Sequence, residues 1–297
     1  MKRLLIIILI SVFFINFSYN SAFAAAGISI IRDDETEKLL KEITDPIIRA
    51  VGLDSDSIEI VIVNDPSINA FVSGGQRIFI HTGLIAEADD VSTVIGVLAH
   101  EAGHIKGAHI IQKGSDYEKA NYGAIAGYVL GLGSVLAGAP AEAGLAISSA
   151  SQNIAMRNLL SYSRDYENAA DTVALEVCKK IGVTPRGLVN LLRKIQSEQK
   201  ISGDIVDKYM LTHPVSEERI KYIENYIKKH PEIDKKPAEE IQKKFLMVKA
   251  KIYGFLYSSK KTKQIYQGKT TDEALYALSV IKHREAKFSE SDNYLNQ

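Results

Sequence analysis

The chain has 297 residues, 46% of them hydrophobic and 24% charged, with 36 basic side chains balancing 36 acidic ones. That composition belongs to a foldable globular chain, and excludes a disordered or fibrous one. With zero formal net charge there is no basic excess to recruit nucleic acid.

The first residues have the layout of a secretory signal peptide: Lys2 and Arg3, an uncharged apolar run from Leu4 to Phe17, then Ala22-Phe23-Ala24. The run is short for a membrane span of about 20 residues. Cleavage is expected to leave a mature chain that starts near Ala25, outside the cytoplasm. An uncleaved anchor is the alternative. Cys178 is the single cysteine. It cannot form an internal disulfide, and it excludes both cysteine-ligated zinc and a CxxC redox pair. A small buried side chain on a helix is its expected role.

Leu39, Leu40, Ile43, Ile47 and Ile48 recur at helical spacing between Asp33-Asp34 and Gly52, which predicts a first helix. Ile58, Ile60 and Ile62 alternate as in a strand. A Gly-Gly turn in "NAFVSGGQRIFIHTGLI" then leads into a second strand, Arg77 to His81. A helix is expected from Val91 to Gln112, burying Val94, Val97, Leu98 and Ile105. Residues 120–156 are Gly/Ala-rich, with Glu142 the lone charge and Pro140 near the middle. They read as an apolar helical hairpin, either buried or touching a membrane. Further helices are predicted up to Gly182, from Thr184 (N-cap) and Pro185 onward, and between Pro214 and Pro231. Beyond the polar linker around Lys235-Lys236-Pro237 the remainder reads as helical. With no strand pattern after residue 81, the fold class is α+β, mostly helical with a small sheet. Three segments are expected: a signal peptide (1–24), a catalytic domain (25–234) and a helical tail (235–297).

The chemistry concentrates in "LAHEAGHIKGAH", residues 98–109. At about 100° per residue, His100 and His104 lie about 40° apart on one helical face. Two neutral imidazoles one turn apart suit Zn²⁺. Glu101, beside the first of them, is placed to take a proton from a zinc-activated water that attacks a peptide carbonyl. His109 does not extend the motif: a third histidine of the metzincin type would fall at Ile110, and on a continuous helix His109 faces away. A remaining ligand must come from elsewhere. "YENAAD" offers Glu167 and Asp171, four residues apart on one helical face. A carboxylate completes a His₂Glu site with an open fourth position. Asp171 could accept the free ring N–H of a ligating histidine. Pairing with Arg164 on an exposed acidic face is the competing reading. Asn168, Ala169 and Ala170 form a small-residue surface suited to close packing on the motif helix.

"HEAGH", "SRDYENAAD" and "THPVSEERI" in that order, with "NAFVSGGQRIFIHTGLI" upstream, resemble peptidase family M48, over about residues 35–230. The resemblance implies a gluzincin fold, His100, His104 and Glu167 as ligands of one zinc, Glu101 as general base and Asp171 as support. It also implies an edge strand near Arg77–His81 that aligns extended substrates. It makes His213 a candidate to stabilise the oxyanion or to approach the metal as a reversible inhibitory ligand; otherwise His213 is a histidine at a helix start. Arg219 fits the family's arginine after "HP" and is expected to be structural. The tail resembles part of a tetratricopeptide array. A lone unit of that kind either packs on the catalytic domain or belongs to a chain shorter than its relatives.

The expected function is therefore that of an exported, periplasmic zinc endopeptidase acting on unfolded or misassembled envelope proteins. The alternative is a latent or inactive zinc-binding chaperone. Expected contacts are polypeptide substrates, a membrane at 120–156 and a protein partner at the tail, but no nucleic acid.

Overall fold

The computed structural model describes residues 29–73, 76–108, 140, 164–202, 209 and 212–297. The signal-like segment, His109 and, apart from Pro140, the apolar 120–156 region lie outside these residues. Among the described residues the chain is mostly helical with one four-stranded sheet, and no helix is long and apolar enough to cross a membrane.

Helix α1 (Asp34–Ala50) starts where Asp33 accepts the Thr36 N–H, and it buries all five apolar residues of the predicted face. The chain turns at Gly52, whose φ of +83° suits a residue without Cβ. Strands β1 (Ile30–Ile31), β2 (Glu59–Val63), β3 (Ala70–Ser73) and β4 (Arg77–His81) form the sheet in the order β1-β2-β4-β3. β2 runs parallel to β4, and the other two pairings are antiparallel.

This order corrects one expectation. Arg77–His81 is an interior strand, hydrogen-bonded on both sides, and the edge is β3. The short segment before the Gly-Gly turn folds back on β4 and takes the outer place. His81 N–H donates to Asn69 O at 3.0 Å and Ala70 stands opposite Ile80. In an antiparallel ladder that register turns the N–H and C=O of Ala70 and Val72 away from β4.

A short helix, α2 (Thr82–Glu87), leads to the motif helix α3 (Val91–Lys106). Every residue from Val91 to His104 is buried. α3 is therefore packed from all sides, which explains its near-continuous apolar sequence. It ends earlier than its sequence suggests. Gly107 is the C-cap and Ala108 has a φ of +51°, so the helix ends at Lys106, and Ile105 is only partly buried; the remainder of the expected span, residues 109–112, lies outside the described residues.

Helix α4 covers residues 164–181 and buries Ala174, Leu175, Val177 and Cys178 on one side. Burial pushes the Cys178 thiol up to about 12, so it is an inert core group. α5 (Arg186–Ser202) begins as expected, with Thr184 Oγ1 accepting the Arg186 N–H, and α6 (Glu217–Lys229) begins after the Ser216 cap, two residues beyond Pro214.

Helices α7 (Glu239–Leu256), α8 (Ser259–Tyr266), α9 (Asp272–Arg284) and α10 (Phe288–Leu295) make up the tail. Phe245, Val248, Ile252 and Tyr253 of α7 belong to the same continuous core as α1, α3 and the sheet. The polar contacts agree. Gln242 Oε1 accepts the N–H of Val91, the first residue of the motif helix, at 3.0 Å. Lys249 Nζ donates to Ala88 O, and Tyr253 OH to Ala86 O. Glu87 binds Lys194 and Lys261, whose charges hold its carboxyl below the usual range against the opposing effect of burial. The tail is thus built onto the strand–helix connection that carries the motif.

Candidate active site

Four side chains from three places in the chain converge at the C-terminal half of α3. His100 and His104 come from α3, Glu167 from α4 and His213 from the segment just before α6. All four are candidates named from the sequence, His213 through the family resemblance. Glu167 and His213 lie 67 and 113 residues from His100 and reach it through tertiary structure.

His100 Nε2 lies 3.1 Å from His104 Nε2 and 3.1 Å from Glu167 Oε2, while His104 Nε2 lies 3.4 Å from Glu167 Oε1. Zinc bonds of about 2.0–2.1 Å in a tetrahedron place neighbouring donor atoms about 3.3 Å apart. The donor atoms therefore fit a zinc ion in both chemistry and spacing. His213 Nδ1 lies 3.4 Å from His100 Nε2 and 3.2 Å from Glu167 Oε2, so it joins the cluster as a fourth possible donor. Charge gives an independent test. Glu101, Glu167 and Asp171 are fully buried, and among the described residues here the one permanent cation buried with them is Arg219. Three buried carboxyl groups against one guanidinium leave an excess of acidic groups, whose negative charge a Zn²⁺ ion would offset.

Asp171 Oδ1 is 2.9 Å from His100 Nδ1. That contact favours the tautomer with the proton on Nδ1 and a lone pair on Nε2 toward the cluster. Burial opposes charge on His100, but without a bound metal Asp171 and Glu167 outweigh it and push the imidazole up to about 9. Zinc at Nε2 would displace that proton. Burial dominates at His104 and lowers it to about 3. Burial would raise the Glu167 carboxyl, yet His213, His100 and His104 together hold it well below its ordinary value. Glu101 Oε1 is 3.3 Å from His213 Nε2, which in turn lies 3.2 Å from Ala70 O on the edge strand. The base candidate, His213 and the outward carbonyl of β3 are thus in one line of contacts.

Close packing sets the distance between α3 and α4, the helices that carry His100, His104 and Glu167. A Cβ on Gly103 would lie 2.8 Å from Ala170 Cα and 2.9 Å from Ala170 O, closer than atoms in contact tolerate. Of the expected small-residue surface, Ala170 is the buried member, whereas Asn168 and Ala169 are exposed. We expect Gly103→Ala to push α4 outward by about 0.5 Å and to destabilise the protein by about 1–3 kcal/mol despite alanine's better helix propensity. Ligand distances tolerate only about 0.2 Å. Zinc affinity of the folded variant should therefore fall too; chelator competition alongside urea denaturation measures both, and wild-type values would refute the close-packing argument.

The sequence did not disclose what Arg219 does. Its Nε and Nη2 donate to the two oxygens of Asp171 at 2.7 and 2.8 Å, so Asp171 does not pair with Arg164 on an open face but is buried between Arg219 and His100. Nη1 lies 2.9 Å from Glu167 Oε2.

Residues 34–227 match Peptidase family M48. The chain belongs to this family. Within it, the chain is similar to the beta-barrel assembly-enhancing protease of Escherichia coli (strain K12), 28% identical over 160 residues, or 54% of this chain and 32% of that protein. Its similarity to the putative beta-barrel assembly-enhancing protease of Vibrio cholerae is 26% over 178 residues, 59% and 36% of the two chains. The mitochondrial metalloendopeptidase OMA1 of Saccharomyces cerevisiae is 29% identical over 196 residues, covering 64% of this chain and 52% of that protein. The chain thus matches between about a third and a half of the length of these M48 relatives.

Proposed function

We propose that this M48 chain is an exported zinc-dependent endopeptidase that hydrolyses peptide bonds of unfolded or misassembled envelope proteins. The observation that carries the reading is the buried convergence of His100, His104, Glu167 and Glu101 beside the edge strand β3. His100, His104 and Glu167 would hold zinc, and Asp171 would fix the His100 ring. Zinc supplies Lewis-acid activation of water and of the scissile carbonyl. Glu101 would take the proton of the attacking water on a carboxylate oxygen and pass it to the leaving amine. An extended substrate would pair with the outward N–H and C=O groups of Val72 and Ala70. Unfolded chains can adopt that conformation and folded domains cannot, which accounts for a preference for unfolded substrates.

The signal-like N-terminus supports export, and the bacterial relatives are named for β-barrel assembly, which is consistent with a role in the cell envelope. His213 supports a second reading of the same site, a latent one. Its Nδ1 stands beside the proposed ligand atoms, where it could take the place of water or substrate, and its Nε2 engages the carbonyl that a substrate strand would use.

The test is degradation of an unfolded β-barrel protein by the mature chain. Zinc-loaded protein should cut it, a chelator should stop cleavage and added zinc should restore it. A folded form of the same substrate should survive. Cleavage that persists after chelation would reject the zinc peptidase. If the loaded wild type is inactive but His213→Ala cuts, the latent reading is the correct one.

A further inference from the structure

We infer that Arg219 is a positioning residue for the metal chemistry: it fixes Glu167 and the His213 loop relative to each other through one buried guanidinium. The inference deepens the proposed function and rests on Glu167 being a metal ligand.

Arg219 sits in the first turn of α6, with its backbone N–H on the Ser216 hydroxyl and its side chain 3% exposed. Nε and Nη2 grip Asp171 in a two-pronged contact. That much would be a structural ion pair between α4 and α6. The remaining nitrogen goes further. Nη1 donates to Pro214 O at 2.8 Å, the carbonyl immediately after His213, and also reaches Glu167 Oε2 at 2.9 Å. Glu167 Oε2 is the oxygen that lies 3.1 Å from His100 Nε2 and 3.2 Å from His213 Nδ1. One planar group therefore holds the ligand oxygen, the loop that carries His213 and, through Asp171, the ring of His100.

The chemistry of arginine explains why this position uses it. Guanidinium stays charged when buried and offers five donors in a fixed plane. It binds two carboxylates and a carbonyl at once and offsets part of the negative charge. Lysine would bring the same charge but one compact head with no fork, and could not hold all three acceptors in one geometry.

The experiment compares wild type, Arg219→Lys, Arg219→Gln and Glu167→Gln in the full mature chain. Zinc affinity is read by chelator competition on folded protein, melting is followed with and without zinc, and kcat and KM are measured on an unfolded substrate. Partners that orient ligands are worth about 10–100-fold in metal affinity or activity. Arg219→Lys should lose about tenfold or more in zinc affinity and in kcat, with KM within about twofold of wild type. Arg219→Gln should lose more. If it does not fold, Arg219→Lys decides alone, because it keeps the buried charge. Wild-type zinc affinity and kcat in Arg219→Lys, even with a lowered melting temperature, would overturn the inference and leave a structural ion pair. Glu167→Gln separates the two assumptions. Its retention of wild-type zinc affinity would sink the ligand assignment itself, whereas loss of zinc there with full retention in Arg219→Lys would sink the positioning role alone.

Discussion

Replacing Glu101 by glutamine is expected to lower kcat by about 100- to 10,000-fold while zinc content stays at one ion per chain. The magnitude is that of removing a positioned general base. Glutamine matches glutamate in shape, so the packing of α3, in which this residue is fully buried, is preserved. Its amide can still meet His213 Nε2, which lies 3.3 Å from the carboxylate. What disappears is an oxygen able to accept a proton. Glu101 is not among the clustered donor atoms, so metal affinity should change little. Zinc titration and kcat on one unfolded substrate test both halves. A fall of less than about threefold would mean that another group accepts the proton. His213 is next in line by distance, and Glu101→Gln with His213→Ala would then be decisive.

Much of this centre is visible in the sequence because helical periodicity is a local rule. The 3.6-residue repeat puts His100 and His104 on one face without reference to the rest of the fold. The same rule puts Glu167 and Asp171 one turn apart, and the structure places them 3.1 and 2.9 Å from the two nitrogens of His100. Contacts that bridge distant segments are not local and leave no periodic trace. Asp171 and Arg219 are 48 residues apart, and His213 and Ala70 are 143 apart. The four-residue strand β3 is similarly obscure. "AFVS" is too short to show alternation, and its edge position follows only from folding back on β4. The end of α3 is hidden in the sequence for a different reason. "IKGAHIIQ" keeps apolar residues at helical spacing past Gly107, where the backbone departs from the helix.

The tail gives the second large effect. Phe245→Ala should destabilise the whole protein by about 3–5 kcal/mol, the cost of emptying a large buried site. Phe245 is 1% exposed, and it shares a continuous core with Ile48, Ile80 and Leu98 of α1, β4 and α3. An independent repeat module would respond otherwise: truncating one of its core residues would loosen the tail and leave the catalytic region's transition unchanged. Urea unfolding followed both by far-ultraviolet circular dichroism and by loss of activity separates these cases. One cooperative transition, shifted to lower urea in both signals, is the expected result. Two transitions, with activity surviving the first, would show that the tail is separable. The cooperative outcome has a mechanistic consequence. Gln242 holds the first N–H of the motif helix, and Lys249 and Tyr253 hold the carbonyls just before it. Any force that displaces α7 therefore acts on the N-terminal end of α3, and the distance from there to His100 is spanned by two and a half turns of buried, stiff helix.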